Sequence, residues 1–223
     1  IGQAQTGTGK TAAFGLPMLN NITNRKAISS IILAPTRELA IQVHDELVKL
    51  AKYEKLNVVA VYGGAPIHNQ IRDIKRANIV VGTPGRVLDH IRRGTLPLDS
   101  VEFLVLDEAD EMLNMGFIDD MEEIMKSIPE ERQTLLFSAT MPAQIKKLTK
   151  KYLKEDSVHI VIARKELTGS TITQNFFEVN NSERFETLCR LIDFDNPSAG
   201  IIFCKTKKGV DDLVSSMQSR GYM

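Results

Sequence analysis

The chain has 223 residues, 43% of them apolar and 25% charged, which is enough to bury a core and excludes a disordered chain. Its 28 basic and 28 acidic side chains cancel, so no large global positive field exists and wrapping of duplex DNA by charge alone is disfavoured. No uninterrupted apolar run is long enough to span a membrane and no secretory signal opens the chain, so the expectation is a soluble, cytoplasmic protein without a membrane partner.

Barely a strand precedes the first loop, "AQTGTGKT" at 4–11, which runs into a helix predicted over 10–22. Short β-branched runs then alternate with helix-forming stretches. Strands are predicted at "SIILA" 30–34, "NVVAVY" 57–62, "NIVVG" 78–82, "EFLVLD" 102–107, "QTLLFS" 133–138 and "SVHIVI" 157–162. Helices are predicted between them at 37–52, 66–76, 84–92, 117–126 and 142–153. Apolar strands alternating with helices call for a parallel sheet covered on both faces. Ligands of such a sheet gather outside the carboxyl ends of its strands.

"ARKELTGST" at 163–171 interrupts this pattern with polar residues and reads as a linker. A second alternation follows: a strand at 172–180, a helix at 182–194, a strand at 199–205 and a helix at 207–221. Ser182 is a candidate cap, but Phe185 stands where a capping box needs Glu or Gln. The expected organisation is an α/β domain over 1–162, a linker over 163–171 and the start of a second, incomplete domain over 172–223. Such a chain looks taken from inside a two-domain protein.

In "AQTGTGKT", Gly7 and Gly9 permit a tight loop whose amides can surround phosphate oxygens, and Lys10 adds a positive point charge. Thr11 opens the helix and can place its hydroxyl on magnesium. The pattern is that of a phosphate-binding loop except that Ala4 holds the place of the first glycine. The alternative is a flexible Gly/Thr turn that only caps a helix.

"FLVLDEAD" at 103–110 decides between them, because an apolar strand ends there in carboxylates. A magnesium–triphosphate site needs oxygen ligands beyond those of the phosphates. Asp107, at the strand end, is the candidate magnesium residue, acting through water. Glu108 is the candidate to orient and deprotonate an attacking water. Asp110 and Glu111 also suit the first turn of a helix.

The chain resembles the DEAD-box RNA helicases, named for the tetrad Asp107-Glu108-Ala109-Asp110. "AQTGTGKT" 4–11, "PTRELAIQ" 35–42, "GG" 63–64, "TPGR" 83–86, "SAT" 138–140 and "IIFCKTKK" 201–208 match that family in order and cover nearly the whole chain. The resemblance implies a RecA-like parallel sheet domain covered by helices, followed by the start of a second RecA-like domain. It implies ATP and Mg2+ as cofactors, and single-stranded RNA or short RNA duplexes as partners. It assigns Ala4, Gln5, Thr6, Gly7, Thr8, Gly9, Lys10 and Thr11 to the nucleotide, and Thr11 and Asp107 to the metal. Lys10, Asp107 and Glu108 become the catalytic set, and Asp110, Ser138 and Thr140 would couple the ATP site to domain closure. Pro35, Thr36, Arg37, Gly63, Gly64, Thr83, Pro84, Gly85, Arg86 and Thr206 would face RNA.

Elementary chemistry supports that division. Arg37 and Arg86 follow strand ends at helix N-termini, where unpaired amides and guanidinium groups can hold phosphate without reading bases. Each alone could equally be a solvated helix end. The lysines of 146–154 read better as a solvated helix face than as a nucleic-acid patch. Met112, Leu113, Met115 and Phe117 read as packing. So does Cys189, while the scattered His44, His68, His90 and His159 read as surface or packing residues rather than ligands, and with Cys204 the cysteines fit a reducing compartment.

The implied mechanism is closure over ATP and RNA that bends one strand and separates a short duplex locally, with hydrolysis reopening the cleft. The adenine-reading Q motif, an ARGxD-like motif and the arginine-rich motif of that family are not found in these 223 residues, so the expectation for them alone is impaired activity. Two other readings stay open: an ATP-regulated RNA clamp or scaffold, and a DNA-dependent P-loop translocase.

Overall fold

The computed structural model describes residues 1–5, 7–162 and 173–222; Thr6 and the expected linker at 163–171 lie outside the described residues. The chain divides into two compact units, Ile1–Leu167 and Thr168–Met223.

Among the described residues the first unit has seven strands: β1 Gly2–Gln3, β2 Ser30–Leu33, β3 Val58–Val61, β4 Ile79–Gly82, β5 Phe103–Leu106, β6 Gln133–Ser138 and β7 Ile160–Val161. They form one sheet of order β3-β4-β2-β5-β6-β1-β7, with every pairing parallel. Seven helices connect them: α1 Lys10–Asn21, α2 Arg37–Leu50, α3 Ile67–Ile74, α4 Pro84–Arg92, α5 Ala109–Asn114, α6 Ile118–Lys126 and α7 Ala143–Tyr152.

Successive strand side chains point to opposite faces, so a run such as Ile31-Ile32-Leu33 feeds two cores. Ile31 and Leu33 pack with Val87, Met121, Ile124 and Leu148 from α4, α6 and α7. Ile32 packs on the other face with Phe14, Met18 and Leu47 from α1 and α2. Burial on both faces explains why these strands read as continuous apolar runs.

One helix was not expected as a separate element. The turn after the tetrad forms α5, with Asp110 and Glu111 in its first turn, and Gly116 at φ 83° separates it from α6. Met112 is fully buried and Leu113 and Phe117 pack against the core, whereas Met115 is 47% exposed and does not serve as packing. The lysines of α7 lie along an exposed face, and Lys151 pairs with Glu122 at 2.6 Å.

The described residues of the second unit contain two helices, α8 Arg184–Asp195 and α9 Lys207–Ser219, and no strand. The strands expected at 172–180 and 199–205 are therefore corrected over the described residues. Both have an apolar strand pattern, but a strand is stable only beside a hydrogen-bonding neighbour. Phe176, Phe177, Ile201 and Phe203 remain exposed. The start of a second RecA-like sheet is accordingly not seen here. Ser182 does not cap α8; its N-cap is Glu183, with no side-chain capping bond. Cys189 packs on α8 at 1% exposure.

Candidate nucleotide site and nucleic-acid interface

Sheet order sorts the motifs. The strands β1, β6 and β5 are neighbours, and their carboxyl ends carry the phosphate-loop, "SAT" and "DEAD" segments. The strands β2, β4 and β3 form the other half, and their ends carry "PTRELA", "TPGR" and "GG". One carboxyl edge thus presents two adjoining surfaces.

On the first surface, Gly7 (φ 80°) and Gly9 (φ 84°) take the left-handed conformation that a side chain would strain. Neither would meet anything within 4 Å if it carried a Cβ, so backbone conformation and not crowding demands glycine. The Thr8 hydroxyl donates to Gln5 O at 2.8 Å and closes the loop. Ala4 is buried, and its amide donates to Ser138 O at 3.1 Å, extending the ladder beside β6. Among the described residues only Lys55, Glu108 and Asn196 are non-glycines at positive φ, so Ala4 needs no glycine's freedom. Gly9 is the N-cap of α1, Lys10 its first residue and Thr11 its second.

Lys10 is buried, and its Nζ lies 3.8 Å from Asp107 Oδ1 and 3.8 Å from Glu108 Oε1. Asp107 follows β5, its amide bonded to Leu33 O at 2.9 Å, so the sheet itself fixes its position. Burial pushes its carboxyl up to about 6; the Lys10 charge pulls the other way, and the Glu108 charge adds to the rise. Asp107 Oδ1 is buried without a hydrogen-bond partner among the described residues. A buried acceptor left open is costly unless water or a cation completes it. Glu108 caps α5 at φ 53°, an uncommon conformation for a non-glycine that recurs where function holds backbone strain.

Asp110, Ser138 and Thr140 come together in a closed ring. Thr140 donates both its amide (2.9 Å) and its hydroxyl (2.7 Å) to Asp110 Oδ2. Ser138 donates to Thr140 O at 2.6 Å and accepts from the Asp110 amide at 3.3 Å. Burial pushes the Asp110 carboxyl up, but hydrogen bonding, led by the Thr140 hydroxyl and amide, outweighs it and holds the group below its usual range.

The second surface assembles three loops. Pro35 is buried, Thr36 caps α2 by accepting from Leu39 N at 3.2 Å, and Arg37 emerges exposed as the first helical residue. The Arg37 guanidinium carbon lies 4.9 Å from the centre of the Tyr62 ring, a cation–π contact. Gly63 and Gly64 follow Tyr62, and a Cβ on Gly64 would come 3.8 Å from Arg37 Nη1. Thr83 is the N-cap of α4 and Pro84 its first residue; Gly85 is exposed, and Arg86 is half-buried. Gly82, just before them, has no room for a side chain: a Cβ would sit 2.6 Å from Val61 O. Thr206 belongs to the second unit, where it caps α9 by accepting from Gly209 N at 3.0 Å.

Three residues of this surface carry no motif. Gln70 is buried; its Nε2 donates to Tyr62 O at 3.0 Å, and its Oε1 faces Arg86 Nη1 at 3.0 Å and His90 Nε2 at 3.1 Å. Tyr62 and His90 complete the set. The available signal was Gln70 standing on the apolar stripe Ile67, Ile71 and Ile74 of an amphipathic helix.

Comparison with known proteins follows this geometry. A family model described as DEAD/DEAH box helicase matches residues 1–148. The ATP-dependent RNA helicase CshA of Listeria monocytogenes is 55% identical over 225 residues, covering 100% of this chain and 43% of that protein. The DEAD-box ATP-dependent RNA helicase CshA of Bacillus subtilis is 52% identical, covering 100% of this chain and 45% of that protein. The chain thus spans less than half the length of these bacterial relatives. The crystal structure of a DEAD box protein from the hyperthermophile Methanococcus jannaschii aligns with a TM-score of 0.71 at 49% identity, covering 99% of this chain and 59% of that one. The seven-stranded parallel sheet with its surrounding helices is a RecA-like α/β domain. With the family model matching well over half of its residues, the chain belongs to the DEAD/DEAH box helicase family.

Proposed function

We propose that the chain is the ATP-binding and RNA-gripping portion of a cytoplasmic, RNA-dependent ATPase that clamps RNA and separates short duplexes locally. The observation that carries this reading is the sheet order: the nucleotide motifs follow the adjacent strands β5, β6 and β1, and Arg37, Arg86 and the Gly63–Gly64 pair follow the adjacent strands β2, β4 and β3.

In this reading the loop amides of Gln5 to Gly9 and the Lys10 ammonium hold the phosphates of ATP, with Thr6 in the same loop. The donor set fits Mg2+, since Asp107 presents an open carboxylate oxygen and Thr11 a hydroxyl at the second residue of α1, directly after the loop. Held by Asp107 and Thr11, Mg2+ would supply positive charge that offsets the charge of the phosphates. Lys10 stabilises charge on the phosphoryl oxygens, and Glu108 orients the attacking water and accepts its proton. Arg37 and Arg86 hold successive RNA phosphates, while the Gly63–Gly64 and Gly85 backbones allow the strand to approach. Thr206 keeps its hydroxyl proton for a phosphate while its lone pair caps α9. Asp110, Ser138 and Thr140 respond to the nucleotide through one hydrogen-bonded ring, which suits a coupling element. Each ligand then tightens the other by stabilising the same closed state.

The 223 residues taken alone carry no arginine-rich motif to stabilise phosphoryl charge, and we infer that they hydrolyse ATP slowly. Steady-state ATP hydrolysis by the full-length protein, with single-stranded RNA and matched DNA added separately, tests the reading. Strong stimulation by RNA alone supports it, equal stimulation by both nucleic acids overturns the RNA assignment, and RNA retention without strand separation makes the protein a clamp.

A further inference from the structure

We propose that Gln70 is a positioning residue of the RNA-binding surface: it locks the Tyr62–Ala65 loop and Arg86 into one preformed phosphate grip. The proposal rests on the RNA-facing reading of Arg86.

The amide can stand only one way round. Tyr62 O is an acceptor, so the nitrogen of Gln70 must face it; Arg86 Nη1 is a donor, so the oxygen must face the arginine. Flipping the amide would set donor against donor and acceptor against acceptor at 5% exposure, where water cannot repair the mismatch.

The same oxygen fixes the histidine. Gln70 Oε1 can only accept, so His90 carries its proton on Nε2, and Nδ1 is left to accept from the Thr95 hydroxyl at 2.8 Å. Both His90 and Gln70 are buried, so the oxygen that receives Arg86 has no competing rotamer in solvent.

Arg86 is thereby half used and half free. Its Nη1 donates to Ala65 O (3.0 Å) and to Gln70 Oε1 (3.0 Å), which consumes both hydrogens of that nitrogen. Its Nε and Nη2 have no partner among the described residues, and that edge is the fork that binds a phosphate through two parallel bonds. Holding Nη1 spares the side chain the entropy of ordering itself when RNA arrives. Through Tyr62 O, the same glutamine also anchors the residue whose ring carries Arg37. Three strand ends therefore share one buried hub.

The test is a double-mutant cycle in the full-length protein, using Gln70→Leu and Arg86→Ala, singly and together. Binding of a fluorescent oligouridine, with Mg2+ and a non-hydrolysable ATP analogue, is read over a range of salt. The expected result is a roughly tenfold loss for Arg86→Ala, a loss of about three- to tenfold for Gln70→Leu, and no further loss in the double variant. Each single variant should also flatten the salt dependence by about one phosphate, a slope change of ~0.7 for a single strand. A merely structural role for Gln70 would not move that slope. Losses that multiply, or a Gln70→Leu variant with full affinity and slope, overturn the proposal while leaving Arg86 on RNA. If Arg86→Ala binds RNA as the parent does, the RNA-facing reading fails and takes the proposal with it. Gln70→Met, whose flexible side chain fills the same volume, repeats the cycle should the leucine variant not fold.

Discussion

Lys10 Nζ stands 3.8 Å from Asp107 Oδ1, a buried oxygen that nothing else among the described residues satisfies. The pair is set for a ligand and not for stability. Because burial raises the Asp107 carboxyl from 3.8 to about 6, its contribution to stability is complete below the lower value and is lost as pH rises through the upper one. At neutral pH the ionised group therefore costs up to about 3 kcal/mol. Asp107→Asn should melt higher than the parent at pH 7.5 without nucleotide, by up to roughly 6–12 °C at about 2–4 °C per kcal/mol. The gap should close towards pH 4, as calorimetry across that range would record.

The two carboxylates beside Lys10 should separate in their effects. Glu108→Gln keeps shape and hydrogen-bonding capacity but cannot accept a proton, so ATP affinity should stay within about threefold while hydrolysis falls about 10²–10⁴-fold. Lys10→Met should lose about tenfold or more in ATP affinity, since a buried charge facing phosphate is removed. Equilibrium nucleotide binding measured beside steady-state hydrolysis distinguishes the two patterns.

Thr140→Val deletes the hydroxyl that donates to Asp110 Oδ2 and leaves the amide bond intact. The expected cost is about 1 kcal/mol at pH 7, below the ~1.5–3 kcal/mol of a buried bond to a charged group because Asp110 is only half-buried. Asp110 is held below its usual range, so its stabilisation is present above the unfolded value and is lost as pH falls through the folded one. Denaturant titrations should therefore show the variant and parent converging in acid.

His90 gives the opposite limb of the molecule a separate acid sensitivity. Burial lowers its pKa, the Arg86 charge lowers it further, Asp89 opposes and Arg93 adds. Above about 6.5 the ring is neutral in folded and unfolded chains alike; below that value the unfolded chain takes the proton first, so stability drains away as pH falls through the folded pKa. His90→Gln should reduce the fall in denaturation midpoint between pH 7 and 5.5.

The first unit was legible because its strands are β-branched runs buried on both faces, and its helices begin at residues that cannot continue a strand. Pro84 opens α4, and Thr36 caps α2. The segments "AQTGTGKT" and "DEAD" stood out for the same local reason: each is contiguous, and backbone conformation ties each residue to its neighbours. Gln70 escaped because its role spans four segments and depends on Tyr62 O and Ala65 O, backbone atoms that no motif records. The second unit misled for the converse reason. Its apolar runs satisfy the pattern of a strand, yet pairing is a property of two segments, and Phe176 and Phe203 found no partner strand among the described residues.

The parallel sheet also divides the molecule into a fixed rim and an adjustable one. The segments entering β2 to β6 do so at the edge opposite the two motif surfaces, through 22–29, 51–57, 75–78, 93–102 and 127–132. Loop closure becomes only slowly less favourable with length, so added residues there would leave both ligand surfaces where they are. The segments 22–29, 51–57, 75–78 and 93–102 are tied to one another, since Glu102 holds the amides of Thr23 and Asn24 at 3.0 and 2.8 Å and Asn78 joins Arg25 O to the Asn57 amide, which leaves 127–132 as the adjustable one. A fluorescent or affinity insertion for following the protein belongs between Glu130 and Glu131, both exposed, and an insertion of the same length after Gly82 would separate the loop carrying Arg86 from Gln70.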